Sequence, residues 1–482
     1  MDAMDFLMNQ LPRVLNLASS HWHQKARKHP APTLPDGVWD AIAEPKPDHF
    51  TVGFGRAAFT PRDVETKTYW LAGYGSNRPA KSVHSDICAS AVYLDDNSGR
   101  GGILLVSLDC LGFMNPDVTL VRQRLTGFCE RTGCRAVNIC STHCHAGPDT
   151  MGFYGKLPKS GRDKVFFESL YAAIISAAEQ AYAGRKDGRL YAGSVEADGI
   201  QKDIRHPSVF CKTLTRIRFR PDDGGKQVYI INFAAHPEVM DQRNRAIGAD
   251  YVHFLRQKIE TERDARVIYF NGAIGGMITP IEIDPDDFMK STQWAGEKIA
   301  EAAMSVADER ELTPIINTIR QDFYVELANV MFCLGGLLKL MPRERYATGT
   351  GKLGISVKTE MNYLEIGDAH ILTVPGELFP ELQIGGYLPK DDAAVGGPEL
   401  NPKPLRELAN DENLIVFGLG CDELGYILPP NDYLLHPERP FIDEPHDAYG
   451  RKHYEETNSA GPRTAVYVAE TFEKILKIIG RK

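Results

Sequence analysis

GGILLVSLDCLGFMNPDVTLVRQRLTGFCERTGCRAVNICSTHCHAGP, residues 101–148, reads as a strand–helix–strand unit written in hydrophobic pattern. Its first ten residues are continuously apolar up to Asp109, the mark of a strand buried on both faces. Residues 116–133 follow with Val118, Val121, Leu125 and Phe128 at helical spacing. A second short apolar run, Ala136 to Cys140, closes the unit. Such a unit predicts parallel strands joined by a right-handed crossover, and hence an α/β fold. The second strand delivers Thr142-His143-Cys144-His145-Ala146 before Gly147 and Pro148 break it. In extended backbone, residues i and i+2 share a face, so both imidazoles are expected to enter one cleft. Strand ends in α/β chains are where metals and catalytic bases sit. A plain surface turn is the competing reading of the same residues.

The pattern continues outward on both sides. Strands are expected at 87–96, 189–197, 214–220, 226–235, 265–273, 314–326, 356–365, 368–375 and 413–419. Helices are expected at 165–184, 251–262, 291–309 and 463–479. The 214–220 strand alternates, which predicts one more exposed face. Residues 1–48 are Pro-rich toward their end (Pro30, Pro32, Pro35, Pro45, Pro47) and read as an N-terminal arm, beginning with a short amphipathic helix. Residues 49–482 read as one catalytic domain: a large mixed β-sheet core flanked by helices, with the active site at strand ends. The apolar segment 330–341 is too short to span a bilayer and reads as a core helix, or else as a greasy wall beside the site.

Bulk properties narrow the function classes. The 482 residues carry 64 acidic and 55 basic side chains, a net charge of −9, and no basic stripe, which excludes a nucleic-acid binder as the leading reading. No apolar run reaches the roughly 18 residues that mark a membrane span. The N-terminus lacks the basic start, apolar core and cleavage site of a secretory signal, so a cytoplasmic location is expected, with secretion or a periplasmic location if a signal has been removed. Nine cysteines form no paired framework and read as buried thiols. No G-x-S-x-G elbow follows a strand, and neither G-x-G-x-x-G nor a P-loop is present. Nothing in the composition sets an oligomeric state.

Three further polar groups stand directly after apolar strands: His236 in NFAAHPEVM, Glu377 in ILTVPGELFPE and Tyr426 in GLGCDELGYILPP. Imidazoles, a carboxylate and an oxygen donor suit Zn²⁺, which takes N and O ligands and leaves one position open in catalytic sites. Taken singly, each has a plain structural reading. Asp109, at its own strand end, is either a carboxylate that orients a histidine or a buried structural residue.

THCHAGP, NFAAHPEVM, GADYVHFLRQKIE, VIYFNGAIGGMITP, ILTVPGELFPE and GLGCDELGYILPPNDY occur in an order that resembles the neutral/alkaline (non-lysosomal) ceramidases, from about Val52 to Pro462. The resemblance implies a zinc amidohydrolase that cleaves the N-acyl bond of ceramide. It implies zinc ligands at His143, His236, Glu377 and Tyr426, with His145 beside the reacting amide. It places the family's arginine at Arg205 in QKDIRHP and a pocket tyrosine at Tyr454. The family's Gly-Asp-Val-Ser-Pro-type segment appears as GGMITP, Gly275 to Pro280, where Thr279 replaces the serine and the aspartate is missing. The Asn-Arg pair of the family reads Asp203-Ile204-Arg205.

These residues define an expected mechanism. Zn²⁺ lowers the pKa of a bound water from near 16 to about 7 and polarises the amide carbonyl. Tyr426 or Arg205 stabilises the oxyanion, and His145 acts as general acid/base. The expected substrate is an N-acyl lipid. The altered loop leaves open a smaller soluble acyl amide or ester, and a catalytically inactive ligand-binding relative is the third reading.

Overall fold

Both apolar runs flanking the 116–133 segment form strands, Ile103–Leu108 and Ala136–Ser141, paired parallel in a register that sets Ile103 against Ala136. The computed structural model describes residues 17–481. The connection is helical as expected but breaks at Leu125 into Asn115–Arg124 and Thr126–Thr132. Leu125 is fully buried, and the break falls just ahead of Thr126-Gly127, a weak helix-forming pair.

These strands end one side of a nine-stranded mixed sheet. Its order is Ala265–Asn271, Gln227–Phe233, Thr213–Pro221, Lys186–Glu196, Phe50–Ala58, Cys88–Asp95, Ile103–Leu108 and Ala136–Ser141, with Arg310–Glu311 added to Lys186–Glu196. Alternate residues serve opposite faces. Leu104, Val106 and Leu108 pack with the helix Lys164–Ala183, while Ile103 and Leu105 face a second sheet.

The nine-stranded sheet is the large mixed sheet flanked by helices that the sequence predicts, and a second sheet packs against it. Ile316–Glu326, Ile355–Ile366, Ala369–Thr373 and Ile415–Phe417, with Tyr346–Ala347, form a separate five-stranded sheet. Its inner face (Leu364, Ile366, Ile371, Phe417) packs on the first sheet, and Phe417 stacks on Phe270 with ring centroids 4.2 Å apart. Its outer face is covered by the helix Thr464–Ile478. Helices Tyr251–Glu262 and Phe288–Ser305 pack on the first sheet beside Gln227–Phe233. The result is helix, sheet, sheet, helix in four layers. Periodicity reports that a strand is buried on both faces but not which sheet it joins, so the division was invisible in the sequence.

Two expectations are refined. In the Thr213–Pro221 strand the alternating face grades from exposed Arg220 through half-buried Arg218 to Arg216, which is buried and donates to Ala303 O and Val306 O, at the C-terminal end of the Phe288–Ser305 helix, and to Glu309. A cation at that pole satisfies orphan carbonyls, so the polar residue at 216 marks a capping arginine rather than solvent. The apolar segment 330–341 forms the helix Val330–Leu337, which buries only Cys333 and Gly335 and is not a core helix. Of the N-terminal stretch, residues 17–28 are helical; the start of the amphipathic helix expected there lies outside the described residues. Residues 37–42 run along the outer edge of Ile316–Glu326, with Asp40 bridged to Thr318 and Gly37 N donating to Gln321 Oε1. They cover a strand edge that would otherwise expose unpaired backbone groups. All nine cysteines are free thiols, eight of them buried and Cys129 half-buried. No described helix is long and apolar enough to cross a membrane.

Candidate metal centre

The two sheets are stitched together where the histidine strand ends. Cys421 N donates to Ile139 O, Ser141 N to Leu419 O, and Gly418 N to Asn271 O. This seam brings the ends of second-sheet strands beside the ends of first-sheet strands. Glu377 and Tyr426 are themselves register partners in a short parallel pair, Glu377–Leu378 with Tyr426–Ile427. All four residues predicted as ligands therefore meet at one edge of the sandwich.

The histidine turn is not the extended segment read from sequence. The strand stops at Ser141, and His143 adopts φ 66°, a left-handed conformation that costs about 1–3 kcal/mol in a non-glycine residue. The imidazoles nonetheless share one cleft, with the His143 and His145 centroids 4.8 Å apart and those of His143 and His236 5.0 Å apart. A turn, and not the period of a strand, sets their common direction.

Each ring is aimed by a backbone carbonyl. His143 Nδ1 lies 2.8 Å from Leu111 O, and His236 Nδ1 lies 2.9 Å from Ile278 O. A ring that donates from Nδ1 presents the Nε2 lone pair to whatever it faces. Both Nε2 atoms face the same carboxylate oxygen: Glu377 Oε2 is 3.4 Å from His143 and 3.1 Å from His236. The nitrogens of His143, His145 and His236 lie within 4.8 Å of one another, a group able to hold a metal ion. His145 differs from the other two, because both of its buried ring nitrogens are without a hydrogen-bond partner.

The electrostatics point the same way. Burial, reinforced by the neighbouring imidazoles, holds His143 and His145 well below the ordinary histidine range, and burial lowers His236. Burial, with the charges of Glu238 and Glu455, pushes Glu377 well above the usual carboxylate range. Neutral imidazoles are the ligating form, and a buried carboxylate that is costly to ionise alone gains most from a dication. Donors at about 2.0–2.1 Å from a tetrahedral zinc lie roughly 3.3 Å apart, close to the separations at Glu377. The donor set fits zinc.

The remaining predicted residues occupy graded positions. Tyr426 lies beside Glu377 as its register partner, and its ring meets Phe379 and Tyr454 edge-on at 6.0 and 6.2 Å. Tyr454 is thus packed against Tyr426. Arg205 is half-buried over the Phe379 ring at 4.3 Å, paired with Asp432 and, at 3.5 Å, with Glu455, leaving Nη1 without a partner. Its turn is held by Asp203, which accepts from Arg205 N at 2.9 Å. Thr279 is buried in Ile278–Pro280, one residue beyond the carbonyl that aims His236. Asp109 orients no histidine: it is fully buried, accepts from Cys88 N and takes a two-pronged ion pair from Arg256 at 2.6 and 2.9 Å.

Four neighbours went unrecognised in the sequence. Tyr74 meets His145 edge-on at 5.1 Å and donates to Glu238, which is half-buried beside His236. Gly73 backs directly onto the His145 ring, and a Cβ there would lie 2.3 Å from Cγ. Glu423 holds a buried Oε2 with no partner. The only sequence signal for the first pair is the Gly-Tyr-Gly turn, residues 73–75, which carries no periodicity.

No protein-family model matches the sequence, and no relative is found among curated proteins. Solved structures do match. Neutral ceramidase from Pseudomonas aeruginosa superposes with a TM-score of 0.68 and 15% identity, covering 90% of this chain and 75% of that one. A ceramidase complexed with C2 gives a TM-score of 0.68 and 15% identity, with 90% and 76% covered. With the strand-end cluster of His143, His236, Glu377 and Tyr426 assembled as described, the chain has the fold of neutral ceramidase.

Proposed function

We propose that this protein is a zinc-dependent amidohydrolase that cleaves the N-acyl bond of ceramide or a related N-acyl lipid, releasing a fatty acid and an amine. One observation carries the reading: two imidazoles, each fixed through Nδ1 by a backbone carbonyl, turn their Nε2 atoms onto one oxygen of Glu377. His143, His236, Glu377 and Tyr426 would hold the ion. When bound, zinc supplies Lewis acidity toward a carbonyl and acidifies water at neutral pH.

The chain's own groups supply the rest. Tyr426, the register partner of Glu377, would stabilise the oxygen that gains charge. His145, neutral and with both nitrogens free, takes a proton from water and returns it to the departing nitrogen. Tyr454 and Thr279 line the substrate side. Arg205 reaches this region through its ion pair with Glu455 and would be the second group able to stabilise the oxyanion. The ceramidase likeness of the fold supports an amide as substrate.

The test is fatty-acid release from a panel of N-acylsphingosines by zinc-loaded protein, with a chelated control. Chelator-sensitive release is the expected result, with chain-length preference reporting the pocket. Stoichiometric zinc without release from any member would discard the N-acyl lipid. Smaller acyl amides and esters would then be the substrates to assay. Turnover that survives complete zinc removal would discard the metal mechanism.

A further inference from the structure

Glu238 is a carboxylate without a counter-charge beside the metal centre. It is half-buried, two residues after His236, and makes no ion pair among the described residues. Its turn is fixed by the backbone: Glu238 N donates to His236 O at 3.0 Å, and Asp241 N donates to Glu238 O at 2.9 Å. The Tyr74 hydroxyl lies 2.7 Å from Glu238 Oε2 and 2.8 Å from the backbone oxygen of the same residue. Oε1 is left with no hydrogen bond among the described residues. Such an anion has lost part of its water without gaining a cation. A donor or a positive charge arriving beside it therefore gains more than in open water, and a negative charge loses more.

The same tyrosine sets where a substrate meets this charge. The Tyr74 ring packs edge-on against His145 at 5.1 Å, and His145 N donates to Pro237 O at 3.0 Å, one residue before Glu238. Glu238 and His145 therefore flank one tyrosine on one side of the centre. His145 is the group read above as returning a proton to the departing nitrogen, so whatever that nitrogen carries lies toward Glu238. Two cations close by are turned elsewhere. Arg78 packs over the Tyr74 ring at 4.8 Å and gives its Nη atoms to the carbonyls of Ala72, Gln242 and Asn244. Arg205 is held by Asp432 and Glu455. Behind burial, the charge of Glu238 is the largest influence holding Glu377 above the usual carboxylate range, so its field reaches the centre itself.

We propose that Glu238 sets specificity for the amine half of the substrate: N-acyl amines bearing an ammonium or hydroxyl donor are favoured, and N-acyl amino acids are rejected. The proposal rests on the hydrolase reading above, with His145 as the proton donor. It also divides the smaller acyl amides that the altered Gly275–Pro280 loop leaves open. An N-acylglycine brings a negative charge close to the scissile amide, where it meets Glu238 at like charge. The monoamide of ethylenediamine brings a positive charge to nearly the same place, and an ethanolamide brings a neutral donor. A repulsive group discriminates between such substrates as effectively as an attractive contact does.

The test uses amides of one medium-chain fatty acid that differ only in the amine: ethylenediamine, ethanolamine or glycine. With the full zinc-loaded chain, kcat/KM for fatty-acid release is expected to fall in that order, by roughly tenfold at each step. Added salt should compress the series, since the carboxylate is half-exposed. Glu238→Gln keeps an acceptor for Tyr74 and removes the charge. It should bring the ratio of ethylenediamine amide to acylglycine from about a hundredfold to within about threefold. Calorimetric titration of zinc-stripped protein with the same amides should give the same order of Kd and the same collapse in the variant. Equal kcat/KM for the two charged amides in the parent, faster release from the acylglycine, or an order indifferent to salt overturns the proposal. So does a Glu238→Gln variant that slows all the amides alike, which would leave Glu238 only the task of holding Tyr74. A charge-ordered Kd series that Glu238→Gln flattens, without release from any amide, supports the role of Glu238 and removes the hydrolase reading alone. Neither release nor binding of any amide removes both.

Discussion

Gly73→Ala places one methyl group against the residue assigned as acid and base. Gly73 has φ 92°, and an added Cβ would lie 2.3 Å from Cγ and 2.4 Å from Nδ1 of His145. Ordinary contact begins at 3.4 Å, so the imidazole or its loop must give way by about 1.1 Å. His145 is enclosed by Tyr74 on one side and by His143 and His236 on the other, so the displacement cannot be absorbed by a swing into solvent. A misplacement of about 1 Å at a reacting group costs roughly 10²-fold in rate. Alanine at that φ adds about 1–3 kcal/mol of backbone strain. The expected outcome is a kcat/KM reduced on the order of 10²-fold, measured as fatty-acid release, with a modestly lower melting temperature. Bound zinc, measured by atomic absorption on the same sample, should remain stoichiometric, because Gly73 backs onto His145 and not onto His143, His236 or Glu377. Parental kcat/KM in Gly73→Ala would refute the assignment of His145. Loss of zinc in step with activity would make His145 a ligand instead.

The same distinction can be drawn directly: His143→Ala and His236→Ala should each abolish stoichiometric zinc, whereas His145→Ala should keep the metal and lose turnover. Asp109→Asn leaves Arg256 buried without its counter-charge and should destabilise the fold by about 3–5 kcal/mol in urea denaturation. Replacing the pair together by Leu and Met should recover much of that loss, and equal destabilisation of single and double variants would contradict the argument. Glu360 gives a pH signature. Burial raises its pKa, but Arg122, Arg320 and Asn362 outweigh that and lower it to about 2. A depressed folded-state pKa contributes stability above the ordinary glutamate value near 4.5, lost as pH falls from there toward about 2. Glu360→Gln should flatten the stability profile across that window, and an unchanged profile would assign the acid loss to other carboxylates.

Strand and helix positions were legible because both faces of most strands are buried, so their apolar runs are continuous and end sharply at turn residues. The candidate ligands were legible for a related reason. His236, Glu377 and Tyr426 each follow an apolar run in the sequence, and the chain order of the surrounding segments carried the ceramidase resemblance. Other features were decided by contacts between residues 87 to 147 positions apart, which leave no local pattern. Asp109 reads as a candidate second-layer carboxylate until Arg256 is seen closing on it. Arg216 reads as solvent-facing until the end of the Phe288–Ser305 helix is placed over it. The segment 330–341 reads as core because hydropathy reports composition, whereas exposure depends on which neighbours the fold supplies. The sequence alone therefore determined most of the elements and which side chains a candidate centre could draw on. Tertiary structure decided that the strands split into two sheets, and that their seam turns His143 and His236 onto Glu377. Hydrophobic periodicity is a property of one segment, while the direction of an imidazole is set by the carbonyl that a distant segment brings to its Nδ1.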